Sequence, residues 1–310
     1  MVCLECGLDF ETRRSLHAHI KAHSMSLGEY YVKNLPRYDL LTGELLPFKN
    51  YDNYVITDFR NKKNMYKWIE GVSERQEAEE YCRRAFERYM KGNRDIKYAP
   101  NHLFLLTHPR LPKFEHFGKQ LIVEICETYG LTLIFDKTTN ERPDFLSVPK
   151  EMSIFIDSRE QDPLKFGDIK TVEMKLDFGD YTAVGKDYSY TYVERKSEND
   201  FKGTMSAGYE RFCRELERCR ELGSYMFILI ESDFRQIYKN NNKLGKKKTN
   251  LAYTWENMRN IIGAYSDVCQ FIFSGSRENS SLLVPYLLKN GDSLKRTDLQ
   301  FFMEKMKWLG

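Results

Sequence analysis

The chain has 310 residues, of which 41% are hydrophobic and 30% charged, enough for one good core and smaller modules. Its net charge of +3 is too small to indicate a nucleic-acid partner, so the local clustering of Lys and Arg is more informative. We expect no membrane helix, because no apolar run approaches the roughly 18 residues that such a helix needs. We also expect no signal peptide, because the cysteine–histidine motif described below already begins at Cys3. The other cysteines lie in apolar or helical patterns, which predicts an intracellular, reducing setting.

The first motif lies at residues 1–24. Cys3-x2-Cys6-x12-His19-x3-His23 has the ligand set and spacing of a two-Cys, two-His zinc finger. So short a peptide cannot bury enough surface to fold alone, so Zn²⁺ must supply the folding energy. We therefore predict a small ββα zinc finger with a structural Zn²⁺.

The helix of this finger is a poor reader of bases. Its base-reading positions are Thr12, Ser15 and Ala18, and none of these can make the bidentate contacts that Arg, Asn or Gln make. Three basic side chains can contact phosphate instead, which positions a protein without reading sequence: Arg13, Arg14 and Lys21. We expect the finger to be a tether to DNA or to a partner protein.

The next 126 residues are less informative. Residues 25–50 are predicted as a connector with a turn at 40–43, and residues 51–150 as an α/β region of unknown role. Ser73 opens a capping box that predicts a helix over 73–91. The pattern then predicts a strand at Leu103–Thr107, a helix at Phe114–Tyr129 and a strand at Leu131–Phe135.

From residue 151 hydrophobic strands alternate with helical patterns. This alternation predicts an α/β fold with a mixed sheet flanked by helices over residues 151–293. Residues 294–310 are predicted as an amphipathic C-terminal helix. Its apolar face is expected either to dock on its own core or to form a homodimer or partner contact.

The most informative stretch is a predicted hairpin at residues 180–194. Asp180–Val184 and Tyr188–Glu194 alternate as strands, with turn residues between them. Folding this hairpin sets Asp180 nearly opposite Glu194, with Cβ atoms roughly 5 Å apart, a gap that suits two carboxylates sharing one divalent ion. Lys196 lies two residues after Glu194 and so points to the same face, beside the expected metal.

A longer string carries a family resemblance. Gly179-Asp180, Glu194-Arg195-Lys196 and Asp200, preceded by Ile156-Asp157-Ser158-Arg159-Glu160, resemble the nuclease domain of the XPF family of structure-selective DNA endonucleases. The resemblance continues through 209–212 and 226–231 and covers about residues 152–290. It implies a restriction-endonuclease-like fold that hydrolyses phosphodiester bonds in branched or single-strand-containing DNA, leaving a 5′-phosphate and a 3′-hydroxyl.

The resemblance also implies roles for individual residues. The family's acidic metal cluster corresponds to Asp157, Asp180, Glu194 and Asp200, and its basic pair to Arg159 and Lys196. Carboxylates without nearby His or Cys suit Mg²⁺ or Mn²⁺ as the catalytic ion. Asp200 has a second interpretation, as a carboxylate favoured by the helix dipole at the start of a helix.

The chain departs from the family in one respect. Family members usually carry a tandem helix-hairpin-helix module after the nuclease domain, and residues 291–310 contain no such hairpin. We hypothesise that the finger and residues 51–150 replace it. Residues 239–250 are predicted as a mobile loop that contains Lys246, Lys247 and Lys248 and is either a DNA clamp or a solvated loop. No Gly-x4-Gly-Lys-Ser/Thr motif is present, so no ATPase activity is expected.

Three functions are consistent with these features. The favoured one is an intracellular, DNA-associated, metal-dependent DNA endonuclease that acts in recombination, repair or replication. The segment that follows the finger resembles finger-bearing proteins of bacteriophages and mobile elements, which suggests a similar origin. The alternatives are a non-catalytic DNA-binding scaffold and a zinc-finger regulator whose C-terminal domain is structural.

Overall fold

The computed structural model describes residues 1–38, 44–56, 62–71, 75–93, 95–149, 151–184, 190–243 and 249–309. The chain divides into two compact units, Met1–Asn93 with Pro109–Leu121, and Arg94–His108 with Ile122–Gly310. The predicted turns at 40–43 and 185–187, the Ser73 cap and Lys246, Lys247 and Lys248 lie outside the described residues. None of the helices in the described ranges is both long and apolar enough to cross a membrane.

The first unit begins with the predicted finger. An isolated bridge joins Val2 to Asp9, and a helix follows in which the Thr12 side chain accepts a hydrogen bond from the Ser15 N–H. The next helix starts with a capping box between Ser26 and Glu29. The helices of this part of the chain are α1 (Arg13–Ile20), α2 (Leu27–Asn34), α3 (Tyr51–Ile56), α4 (Lys62–Gly71) and α5 (Arg75–Gly92), with a 3-10 turn at Lys21–His23.

The finger shares its core with the segment that follows it. Buried Leu16 and Ile20 of α1 cluster with Tyr30, Tyr31 and Tyr54, which come from α2 and α3. The Leu4 N–H also donates to the Tyr30 hydroxyl at 2.8 Å. The two buried residues of α1 therefore pack against tyrosines that lie outside the finger motif.

Two strands predicted between residues 51 and 150 are wrong. Residues 103–107 belong to α6 (His102–Thr107), which begins where the Asn101 side chain accepts from the Phe104 N–H. Short buried apolar runs fit a strand or a helix equally well, and the Asn101 cap decides for the helix. Residues 131–135 form only an isolated bridge from Thr132 to Tyr98. The predicted helix over 114–129 is confirmed as α7 (Phe114–Tyr129).

The second unit contains a six-stranded mixed sheet in the order β2-β1-β3-β4-β5-β6. The antiparallel pairs are β1 with β3 and β3 with β4; the other neighbours are parallel. The strands are β1 (Ser153–Asp157), β2 (Lys170–Met174), β3 (Tyr181–Val184), β4 (Thr191–Lys196), β5 (Tyr225–Ile230) and β6 (Cys269–Phe273). The later helices are α8 (Glu198–Thr204), α9 (Tyr209–Glu221), α10 (Phe234–Lys243), α11 (Leu251–Tyr265), α12 (Arg277–Leu294) and α13 (Leu299–Met306).

Helices cover both faces of this sheet. Every residue of β5 is buried, as expected for a central parallel strand. Phe227 of β5 and Ile272 of β6 pack in one core with α12 and α13. Phe273 of β6 instead contacts the rings of Phe201 and Trp255, on α8 and α11. The predicted α/β fold class, a mixed sheet flanked by helices, is therefore confirmed.

The predicted loop at 239–250 is helical at its start, and the C-terminal helix packs in the core of the second unit. Residues 239–243 are helical rather than loop, because α10 continues to Lys243. In α13, Leu299, Phe302 and Met303 are buried in the core of the second unit. The apolar face of this helix is thus used by the chain's own core, as one of the two interpretations expected.

Candidate functional site

The antiparallel pair β3–β4 positions the two central carboxylates. Its register pairs Tyr181 with Val193 and Thr182 with Tyr192, and Asp180 and Glu194 are the residues that directly flank the first of these pairs. The Asp180 N–H donates to the Val193 carbonyl at 2.9 Å, and the Arg195 N–H donates to the Asp180 carboxylate at 2.7 Å. The two carboxylates are therefore close enough for the charge of Glu194 to act on Asp180.

The glycine before Asp180 makes this pairing possible. Gly179 has a φ of +57°, which L side chains rarely adopt, and an added Cβ would lie 2.9 Å from the Val193 carbonyl oxygen. Both constraints involve backbone atoms, either of the glycine itself or of the paired strand. The chain therefore needs glycine immediately before Asp180 to bring the two strands together at this point.

We predict that Gly179→Ala strongly weakens the site. A methyl group cannot fit against Val193 without a backbone shift, and that shift moves Asp180 away from Glu194. We expect a loss of about 2 kcal/mol or more in the free energy of unfolding and a larger loss of any metal-dependent activity. Urea unfolding measures the first quantity. Gly223→Ala is a matched control, since Gly223 also has a positive φ but no atom within 4 Å of the added Cβ. Equal effects of the two substitutions would contradict this role for Gly179.

The environment of Asp180 disfavours its charged form. Burial and the neighbouring Glu194 carboxylate together raise the pKa of Asp180 from 3.8 to about 8, although the Arg195 N–H opposes this. Glu194 is paired with Lys196, whose Nζ lies 2.7 Å from its Oε1. Asp180 has no such cationic side chain bonded to it among the described residues. A bound divalent cation would relieve this like-charge contact.

The raised pKa of Asp180 predicts a pH-dependent stability of the metal-free protein. The folded state holds this proton more tightly than the unfolded state, so the contribution is present below about pH 4 and is lost as pH rises through 8. One pKa unit corresponds to about 1.4 kcal/mol, and partial exposure reduces the effect, so we expect a loss of about 2 kcal/mol between pH 5 and 8. Urea unfolding in EDTA measures it. If the Asp180→Asn variant shows the same pH dependence as the wild type, the Asp180 carboxyl is not its source.

Asp157, at the end of β1, is bound by a single arginine. Its carboxylate accepts 2.7 Å bonds from the Nε, Nη2 and backbone N–H of Arg159 and a 3.0 Å bond from the Leu176 N–H. Arg159 is the main cause that lowers the pKa of Asp157 to about 2. These four bonds use the lone-pair sites of both oxygens. Metal binding by Asp157 would require Arg159 to release it, which the 66% exposure of the Arg159 side chain permits.

Asp200 is at the start of α8, as predicted. Its N–H donates to the Ser197 hydroxyl, and that hydroxyl donates back to the Asp200 carboxylate at 2.5 Å. Ser197 is the N-cap of the helix, so this arrangement fits the interpretation of Asp200 as a helix-start carboxylate. Asp200 is exposed, and its role as a metal ligand stays a prediction.

Two groups beside the site were missed from the sequence. Glu215 of α9 has a raised pKa, because it is partly buried and faces the Glu194 carboxylate, while Lys196 opposes this. The side chain of Arg195, on the other face of β4, bonds Glu160 at 2.9 Å and Glu231 at 3.0 Å. Glu160 therefore serves as a partner that anchors Arg195. The i, i+4 spacing of Arg211 and Glu215 on a helix after the motif is the signal that could have indicated Glu215.

The finger ligands converge. Cys3 Sγ lies 3.4 Å from His23 Nε2, Cys6 Sγ lies 3.2 Å from His19 Nε2, and the two histidine nitrogens are 3.1 Å apart. Burial raises the pKa of Cys3, but backbone N–H groups of Glu5 and Cys6 outweigh it and lower the pKa to about 6. The thiolate is the metal-binding form of cysteine. His17 bonds the Tyr31 hydroxyl at 2.9 Å instead and is not one of the four converging ligands.

The donor sets of the two sites differ in readiness for a metal. Cys3, Cys6, His19 and His23 offer four ligand atoms that all lie within 4.8 Å of one another. In the described ranges, no other group of three or more Cys, His, Asp or Glu residues is this close. Four such N and S donors fit tetrahedral Zn²⁺. Asp157 and Glu194 of the sheet are instead held by Arg159 and Lys196. Asp180 and Glu194 offer carboxylate oxygens, which suit a hard divalent ion, and such an ion would offset the repulsion between the two carboxylates.

The predicted phosphate-contacting residues of the finger are not equivalent. Arg13 bonds Asp52 at 2.8 Å and lies over the Tyr51 ring at 4.5 Å, so its guanidinium supports the fold of the first unit. Arg14 and Lys21 are exposed. Of the three, these two are the better placed for phosphate.

Comparisons with known proteins give a distant structural likeness. No protein-family model matches the chain, and no curated protein matches it. Two solved structures are similar over 46% of the chain: XPF from Aeropyrum pernix, at 19% identity over 68% of its length, and the same protein in complex with DNA, at 18% identity over 65% of its length. The TM-score is 0.33 for each. Similarity at this level does not indicate a function. The function must be inferred from the residues of the site.

Proposed function

We propose that this protein is a metal-dependent DNA endonuclease that hydrolyses phosphodiester bonds in branched or single-strand-containing DNA. The observation that supports this most is the position of Asp180 near Glu194, where burial and the Glu194 charge raise the pKa of Asp180 to about 8. Each of the two carboxylates disfavours the charged form of the other, and a bound divalent cation would favour the charged form of both. Hydrolysis of a phosphodiester is the chemistry that such a cation and Lys196 can serve together.

In this proposal Asp180 and Glu194 hold Mg²⁺ or Mn²⁺, and Asp157 and Asp200 are further candidate ligands. The ion, when bound, supplies a Lewis acid and lowers the pKa of a bound water. Lys196 is 8% exposed and fixed by Glu194, so its ammonium is oriented to stabilise charge on a phosphate oxygen. Arg159 can grip a non-bridging phosphate oxygen through its planar fork once it leaves Asp157.

The finger is proposed to hold a structural Zn²⁺ and to tether the protein to DNA through Arg14 and Lys21, or to a partner protein. The process is proposed to be recombination, repair or replication. A non-catalytic DNA-binding scaffold is the second candidate. It is favoured by one observation, the saturation of the Asp157 carboxylate by Arg159 and Leu176.

A cleavage assay separates these two functions. End-labelled flap, fork, four-way junction, linear duplex and single-stranded DNA are incubated with the protein in Mg²⁺, in Mn²⁺ and in Ca²⁺. We expect cleavage of at least one branched substrate in Mg²⁺ or Mn²⁺, with the linear duplex cut far more slowly. Binding to all five without cleavage of any would support the scaffold and contradict the endonuclease.

A further inference from the structure

Helix α9 carries three arginines along one exposed face. Arg211, Arg214 and Arg218 follow one another at i, i+3 and i+7, and all three are exposed. The opposite face is buried through Phe212, Leu216 and Cys219. The three arginines therefore form a line on an anchored helix, with exposed Glu210 and Glu217 on the same helix, and we refer to these three arginines as the α9 ridge.

The α9 ridge borders the candidate active site. Lys196 Nζ lies 5.1 Å from the ring centroid of Phe212, next to Arg211 in the chain. Arg218 Cζ lies 5.2 Å from the ring centroid of Phe178, which precedes Gly179 and Asp180. Glu215, between Arg214 and Arg218, feels the charges of Glu194 and Lys196. The ridge is thus next to both strands that carry the central carboxylates.

The arginines of the ridge differ from the other arginine near the end of this helix. Arg220 is engaged by Asp267 through two bonds of 2.8 and 2.7 Å and by Glu217 at 3.0 Å. None of the three ridge arginines forms an ion pair with another residue in the part of the chain that the structure describes. Arg218 lies over the Phe178 ring, and the charges of Arg211 and Arg218 oppose the rise that burial causes in the pKa of Glu215. Without a bonded carboxylate, the guanidinium donors of all three can still bind an anionic partner.

We propose that the α9 ridge binds the sugar-phosphate backbone of the DNA strand that enters the Asp180–Glu194 site. The inference rests on the proposed function and adds the surface that delivers the substrate. Seven residues of helix rise about 10 Å, close to the axial length of about three nucleotides of one strand. Guanidinium groups bind phosphate oxygens bidentately. Because the α9 ridge lies beside the carboxylates, the strand that it binds is the strand whose phosphate is cut.

The test measures the salt dependence of DNA binding in the Glu194→Gln background, so that cleavage does not interfere. Fluorescence anisotropy with a labelled flap DNA is followed over a range of KCl concentrations. The Arg211→Ala, Arg214→Ala, Arg218→Ala triple variant is expected to bind at least tenfold more weakly. The slope of log K against log salt is expected to fall in magnitude by about 2 to 3, about one for each phosphate that the variant no longer neutralises.

Two matched variants make the result specific. Lys165→Ala, Lys170→Ala, Lys305→Ala removes the same charge from three exposed positions of the second unit that have no proposed role. It is expected to leave the slope within about 0.5 of the parent, since phosphate contacts and not net charge set it. The Arg211→Lys, Arg214→Lys, Arg218→Lys variant keeps the charges and is expected to retain most of the slope. Thermal unfolding checks that all variants are folded.

The outcomes separate this proposal from the proposed function. The α9 ridge proposal would be overturned by an unchanged slope in the Arg→Ala ridge variant. An equal fall of the slope in the Lys165→Ala, Lys170→Ala, Lys305→Ala control would also overturn it, even if the wild-type protein cleaves DNA. A fall confined to the ridge variant supports it even if no cleavage is found with the wild type, in which case only the endonuclease proposal fails. A slope change seen with RNA of the same sequence and absent with DNA would also overturn it.

Discussion

Replacement of Asp180 by Asn is expected to reduce Mg²⁺-dependent cleavage by about 10³-fold or more while DNA binding is kept. The substitution preserves the shape and removes one of two charges that hold the proposed ion, and metal-centred charge stabilisation contributes several kcal/mol to such a reaction. DNA binding is expected to stay equal or to increase, because one negative charge near phosphate is removed. Single-turnover cleavage and anisotropy measure the two quantities separately.

Asp177→Asn is the matched control for this substitution. Asp177 is an exposed aspartate three residues before Asp180 in the same segment, and we give it no role in the site. Its replacement is expected to change cleavage by less than about threefold. A fall of the same size in both variants would attribute the effect to local charge, and full activity of the Asp180→Asn variant would remove Asp180 from the metal site.

Replacement of Cys6 by Ser is expected to abolish zinc binding and to unfold the N-terminal part of the first unit. Structural zinc in finger peptides contributes about 10–16 kcal/mol of folding free energy, far more than the small core of the finger can replace. Because Leu4 bonds Tyr30 and α1 packs against Tyr31, the unfolding is expected to spread into α2. Zinc content and hydrogen exchange, resolved by segment, measure both effects.

The sheet of the second unit is expected to be unaffected by Cys6→Ser, because it has its own core. Cys213→Ser, at a partly buried cysteine of α9, is the control and should leave both zinc content and exchange at residues 1–35 unchanged. Retention of about one zinc per chain in the Cys6→Ser variant would show that the ligand assignment is wrong. Cleavage of a saturating amount of DNA should persist.

The central feature of the site was predictable because it depends on local rules. A strand alternates with period two, so the turn residues predicted a hairpin that sets Asp180 nearly opposite Glu194. The finger was equally predictable from the spacing of its ligands. In both cases a short stretch of sequence determines which side chains meet. The structure pairs Tyr181 with Val193, next to Asp180 and Glu194, and brings the four finger ligands together.

Features that depend on packing between distant segments were less accessible. The apolar run at residues 103–107 is compatible with a strand or a helix, and the cap at Asn101 was the deciding detail. Glu215 approaches Glu194 only because α9 lies against the sheet, and Arg195 meets Glu231 only because β4 pairs with β5. A hydrophobic pattern tells which face of α9 is buried, but it does not tell what lies beside the exposed face.

The most direct test of the central claim is the cleavage of a labelled flap DNA by the wild-type protein and by the Glu194→Gln variant, each in Mg²⁺ and in EDTA. The carboxylate pair is proposed to act only through a bound ion. We expect the wild type to cut in Mg²⁺, leaving a 5′-phosphate and a 3′-hydroxyl, and to be inactive in EDTA, with the variant inactive in both. Wild-type cleavage in EDTA, or full activity of Glu194→Gln in Mg²⁺, would contradict the account.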